Sequence, residues 1–526
     1  MSEVDLTSVP PRSCVDASIS GGSVTIAGPD PLPVSVDNLP KTAFDEVSVA
    51  IPTPEVQLQF PYNINSEQVA QVPGNGGTVY NGNGHANIST GTDAAGYGLI
   101  LSNDVLRYNA GQGGLARWTT VYTTGVANSE QLCGLGNRDD GFFFGYNGAD
   151  FGVLLRGHGA LEVRTLTIST ASSTAENITI TLDGVADATV TVTNSGDPCE
   201  TAREIATHSF FSSGNGWGAV PVGDKVEFYS IQPGAKTGSF TLSGATTTIG
   251  TFAQTIAGVL PTDTWTTQAN WNIDTMDGTG PSGQTLDQTK GNVYQVRYQW
   301  LGYGAIVYSI EDAETGGWQP VHKIKYANAN TNTTVHNPTL GLWMSATNSG
   351  NTSDLVMKTS SMAGFMEGMD AEIGPIHSAD RLWVIGNTTA ETPVLTIRNK
   401  GVYQGEMNRV RIKPLLATLT SNLNSATANA TFRFYTLATP ESGCSYTDVD
   451  TSSSVIEYDD AATAFDTTEA TKHLTLILAS NESRPFGVEK YLRNLNPRST
   501  LMITVENSKG HASNESGAAL NWKELF

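Results

Sequence analysis

The tightest cluster of potentially catalytic residues in this 526-residue chain is Glu311-Asp312-Ala313-Glu314. Retaining glycosidases need two carboxylates about 5–5.5 Å apart, a spacing that acids alternating along one face of a strand supply. Here the acids fall within Glu-Asp-Ala-Glu-Thr-Gly-Gly, a run of turn residues, and read as solvated caps. A hydrolytic triad has no better footing. Gly-x-Ser-x-Gly is absent, and His85, His158, His208, His322, His336, His377, His473 and His511 stand isolated in the sequence. His322, in Pro-Val-His-Lys-Ile, reads as a hydrogen-bonded strand residue rather than a base.

Two loops carry enough acid to suggest calcium, Asn137-Arg138-Asp139-Asp140 and Asp274 to Asp277. Calcium takes about six to eight oxygens, and neither loop follows an EF-hand pattern, so both read as turn caps. Trp217, Trp265, Trp271 and Trp318 lie beside Gly, Thr and Asn, as stacking residues of a sugar site would. They are the candidate glycan-binding residues, although plugging sandwich edges or subunit contacts is the stronger reading. Cys14, Cys133, Cys199 and Cys444 are scattered without Cys-x-x-Cys or Cys/His spacing, so free thiols are expected. No catalytic residue, metal or cofactor is assigned.

Charge narrows the function classes. The chain carries 29 Lys and Arg against 51 Asp and Glu, a net −22. Without clustered bases it has no surface for nucleic-acid phosphates. No apolar run approaches the ~20 residues of a membrane span, and Met1 to Ser13 shows no secretory signal.

The elements that must position these residues are strands. Fifty-four glycines and abundant Thr, Ser and Asn suit strands joined by polar turns, and long amphipathic helical patterns are almost absent. The fold class is therefore all-β, a multi-domain β-sandwich or jelly roll. Residues 1–50, with Pro10, Pro11, Pro29, Pro31, Pro33 and Pro40, read as an extended arm that docks on another subunit. Strand patterns from 51 to 162, including Gly141-Phe142-Phe143-Phe144-Gly145-Tyr146, return at 263–368 with Tyr294 to Trp300 and Val321 to Tyr326. We read these as one discontinuous lectin-like sandwich. Between them, 163–262 reads as an inserted ββαββ module. Its helix starts at Pro198 behind a cap at Asp197. Residues 371–526 read as a C-terminal sandwich or jelly roll of about eight short strands.

Long stretches carry a resemblance. QLCGLGNRDDGFFFGYNGADFGVLLR (131–156), WNIDTMDGTGPSGQTLD (271–287) and the segment 294–328 resemble a recurrent group of tailed-phage virion proteins. TPVLTIRNKGVYQGEMNRVRI (392–412), VDTSSSVIEYD (449–459) and LNWKELF (520–526) are similar to a terminal module of such proteins, and KTAFDEVSVAIPTP (41–54) resembles their lead-in segment. The 163–262 unit is similar to small modules inserted in phage tail and fibre proteins. The resemblance implies a non-enzymatic virion structural protein of the tail, baseplate or fibre, with a capsid decoration or neck-collar protein as one alternative. A carbohydrate-binding adhesin or polysaccharide depolymerase is another. It further implies a homotrimer that contacts other virion proteins through residues 1–50, a host surface glycan as a further partner, and a location on the virion exterior.

Overall fold

Alternating apolar residues in the chain become the facing layers of stacked sheets. The computed structural model describes residues 51–183, 188–193, 195–212, 216–369 and 372–526. The expected docking arm, 1–50, lies outside the described residues. Residues 51–526 make up one compact unit.

Two large antiparallel sheets are built from strands between Pro52 and Gly157 and between Thr262 and Glu367. The seven-stranded sheet runs in the order Thr262–Thr267, Asp150–Gly157, Gly141–Asn147, Ser129–Gly136, Leu340–Asn348, Tyr97–Leu106 and Val69–Gln71. The six-stranded sheet runs Pro52–Gln59, Ser361–Glu367, Gly113–Thr120, Asn292–Tyr298, Ile306–Glu311 and Trp318–Ile324. Their inner faces enclose one apolar core that includes Trp118, Phe142, Phe144, Tyr294 and Tyr308. The Phe144 ring lies 4.9 Å from Tyr294 and 5.4 Å from Tyr308. Buried phenols need an acceptor. Tyr308 donates to the Leu154 carbonyl at 3.0 Å and Tyr122 to the Phe144 carbonyl at 3.0 Å. The turn between Thr78–Gly82 and His85–Ser89 places Asn83 and Gly84 at φ 54° and 75°, a hairpin geometry that Asn-Gly tolerates with little strain.

Strands between Leu161 and Ile256 form two further sheets, one of four strands around Lys225–Pro233 and Leu161–Thr170, the other of three around Glu176–Thr181. The helix Pro198–Ala206 packs Ala202 and Ile205 into their core. Asp197 caps it, its Oδ1 accepting from the Cys199 amide at 2.8 Å. This segment is richer than the ββαββ pattern, since it adds the strands Leu161–Thr170, Trp217–Val222 and Ile249–Ile256. Trp217–Val222 hides behind Gly218 and Pro221; it is an edge strand, where a proline can sit without breaking a ladder.

The C-terminal strands form a four-stranded sheet, Ile376–Val384, Glu515–Leu525, Arg411–Asn422 and Glu482–Gly487, facing a six-stranded sheet centred on Thr392–Asn399 and Thr500–Asn507. Trp522, Phe432 and Ile503 fill the space between them. The strand Arg411–Asn422 is twelve residues long, longer than the short strands expected of this part. It runs through Pro414, and the register with Glu515–Leu525 shifts between Pro414 and Leu416. That irregularity absorbs the donor that proline lacks.

The cysteine expectation is overturned for two residues. Cys199, on the helix, and Cys444, in the C-terminal part, form a disulfide across a separation of 245 residues. Cys133 is a buried free thiol, and Cys14 lies outside the described residues. Around the disulfide, Arg203 pairs with Glu441 at 2.8 Å and Asp466 at 3.0 Å. The Gly443 amide donates to Asp197 at 2.8 Å.

Candidate functional site

The four tryptophans do not converge. Trp217 is 1% exposed in the core of the 161–256 segment, and its indole N–H donates to the Asp183 carbonyl at 2.9 Å. Trp271 is 5% exposed inside the large sandwich, edge-on to Phe144 and Phe151. Both are therefore core residues, and their candidacy for sugar stacking is corrected. Their Gly- and Asn-rich neighbours imitate a loop, but the rings point inward. Trp265 is half-buried on the outer face of the seven-stranded sheet, packed with Leu99, Leu132, Phe143, Leu154 and Trp343. Trp318 is half-buried at the edge of the six-stranded sheet, opposite Glu311. The Arg117 guanidinium lies 5.1 Å above its ring and 5.6 Å from that of Phe365.

The acidic clusters are engaged by the protein itself. Asp312 Oδ1 accepts from the amides of Glu314 and Thr315 at 2.8 and 2.9 Å. Those amide bonds hold its carboxyl below the usual range, while Glu311 and Glu314 point to solvent. Asp140, fully buried, accepts from the His158 and His336 amides at 3.1 and 2.8 Å and from Arg409 at 2.9 Å. Asp274 accepts from the amides of Met276 and Ser282 at 2.8 and 2.7 Å. Among the described residues no group of three or more His, Cys, Asp or Glu side chains is placed to hold a metal ion.

The histidines are less isolated than the sequence suggested. The rings of His158 and His336 stack at 6.4 Å, brought together by backbone bonds to one carboxylate, that of Asp140. His322 accepts a 3.3 Å hydrogen bond from the Asn272 amide, and burial lowers its pKa. That environment matches a structural strand histidine.

One feature went unnoticed in the sequence. A cavity of about 600 Å³ opens where the outer face of the seven-stranded sheet meets the 161–256 segment and the C-terminal strands. Leu99, Leu101 and Trp343 form its apolar wall, Tyr229 and Met407 face them, and the exposed Gln71 and Pro73 lie at its margin. Four arginines line it. Arg409 is paired with Asp140 at 2.9 Å, Arg411 with Glu55 at 3.7 Å and Arg498 with Glu227 at 2.7 Å. The fourth, Arg138, makes no ion pair with a described carboxylate; its guanidinium rests 5.5 Å above the Trp343 ring. Burial lowers its pKa to about 10, with Tyr97 and Asp139 drawing it back up from beyond contact. It remains a cation at neutral pH. The sequence signal was faint: a single base inside an acidic loop, and a tryptophan within the apolar strand Leu340–Asn348.

No family model matches the chain, and no curated protein matches it. Among solved structures, the legume lectin-like domain from Entamoeba histolytica aligns at 10% identity over 60% of this chain and 97% of that one, with a TM-score of 0.24. A lectin from Bauhinia forficata in complex with GalNAc aligns at 10% identity over 60% and 100%, with a TM-score of 0.21. The VP2 subviral particle of infectious bursal disease virus aligns at 9% identity over 80% and 72%, with a TM-score of 0.16. Scores this low leave the all-β class resting on the sheets themselves.

Proposed function

We propose that the chain is a non-enzymatic structural component of a tailed-phage virion, in the tail, baseplate or fibre apparatus, where it forms homotrimers and presents its outer surface to a host glycan. The sequence resemblance supports the particle type. The observation that carries the structural role is the tie between distant parts of the chain. A disulfide and a buried ion network join the 161–256 segment to the C-terminal strands, and Arg409 and Arg411 join those strands to the large sandwich. Such cross-ties suit a part that transmits load or holds a display surface in place, which requires no turnover.

Immunogold electron microscopy of intact particles tests this reading, with antibodies raised separately against residues 1–50 and 371–526. Label at the tail tip from the second antibody, with the first epitope masked, is the expected result. Label over the head or neck would make the chain a decoration or collar protein. Absence from particles would sink the virion reading altogether.

A further inference from the structure

We propose that the cavity beneath Arg138 is a binding site for a carboxylated sugar, a uronic-acid residue of an acidic glycan. This deepens the host-glycan part of the reading above and rests on it.

Charge is the first argument. In a chain with 51 acids and 29 bases, an arginine facing a cavity with no ion-pair partner among the described carboxylates is anomalous, because three other arginines in the same wall are paired. Its position over Trp343 holds the guanidinium plane in place. A planar guanidinium with free donors accepts a carboxylate in a two-pronged bond.

The polar atoms nearby narrow the class. Gln71, Asn103 and Asn137 also line the cavity, and between them their side-chain amides offer donors and acceptors. Hydroxyls, which donate and accept in turn, suit such amides. A ligand that brings a carboxylate to Arg138 and hydroxyls to these amides is a polyhydroxy acid. The apolar wall of Leu99, Leu101 and Trp343 then suits the C–H face of a pyranose ring. The volume, about 600 Å³, falls within the usual range of small-molecule sites, roughly 300–1,000 Å³. A simple anion would leave the amides and the apolar wall unmet. A neutral sugar would leave the cation unmet.

Titration calorimetry on the full chain tests the assignment with sodium galacturonate, galactose and sodium acetate. Galactose keeps the ring and lacks the carboxylate; acetate keeps the carboxylate and lacks the ring. Galacturonate is expected to bind roughly 10-fold or more tightly than either. Arg138→Gln should remove that advantage, and Arg138→Lys should restore part of it. Equal binding of galactose overturns the charge argument, and equal binding of acetate reduces the site to a plain anion site. Failure of galacturonate to bind overturns the proposal. If Arg138→Gln lowers the thermal midpoint, the three-ligand comparison on the unaltered chain still decides. Immunogold labelling of particles and titration of purified protein can fail separately, so loss of one reading is distinguishable from loss of the other.

Discussion

The carboxylate of Glu227 accepts a 2.7 Å hydrogen bond from Nε of Arg498, a residue 271 positions further along the chain. Its other oxygen lies 3.6 Å from Arg398, a 2% exposed arginine that also pairs with Glu457 at 2.6 Å. This cluster joins the strand Lys225–Pro233 to Thr392–Asn399. Glu227→Ala takes from Arg498 its carboxylate partner and leaves the buried Arg398 with Glu457 alone. We expect a loss of about 3–5 kcal/mol, read from urea unfolding, and a smaller loss for Glu227→Gln.

The same carboxylate sets an acid limit. Burial alone would raise its pKa, but the charges of Arg498 and Arg398 outweigh burial and hold it below the usual value. A depressed folded-state pKa gives stability that is complete above the unfolded value, about 4.3 for Glu, and is lost as pH falls through the folded one. The urea midpoint of the unaltered chain should therefore drop as pH falls below about 4, and the drop should be shallower in Glu227→Gln.

Trp217 and Trp318 should separate cleanly under mutation. Trp217→Ala empties a core and orphans the Asp183 carbonyl, at a cost of about 3–5 kcal/mol. Trp318→Ala removes a half-buried ring and its contact with Arg117, at a cost near 1 kcal/mol. Thermal melts of the two variants check the ranking, and a reversed order contradicts the placement of Trp217.

The thiols should behave as two classes. In the folded, unreduced chain neither Cys199 nor Cys444 should take up an alkylating reagent, and both should after reduction. Replacing the pair by serine should cost about 2–5 kcal/mol, measured by denaturant unfolding.

Cys133 should stay silent for a different reason. Its side chain is fully buried and burial raises its thiol to about 12. A thiol-disulfide exchange reagent at mild alkaline pH should label it only at the rate of unfolding; fast labelling of the folded chain contradicts its burial.

What the sequence disclosed was local chemistry. The Asp197 cap and the Phe142 to Phe144 run depend on neighbours a few residues away, and both appear where the pattern placed them. The Cys199–Cys444 bond and the Arg138 cavity depend on segments hundreds of residues apart, and no periodicity encodes such meetings. Trp217 shows the opposite trap. Its flanking glycines suggested an exposed loop, while the ring itself supplies core to the segment.

The paired strands Asp150–Gly157 and Thr262–Thr267 bring Gly157 and Thr262 opposite each other in one ladder. Everything between them, the helix included, therefore leaves and re-enters through the mouth of what would otherwise be an ordinary β-hairpin. Because chain-closure entropy grows only slowly with loop length, the large sandwich is nearly indifferent to what fills that mouth. The position works as a socket: the ladder closes around whatever leaves it, and the segment seated here has to fit both the C-terminal strands and the outer face of the sheet that holds it.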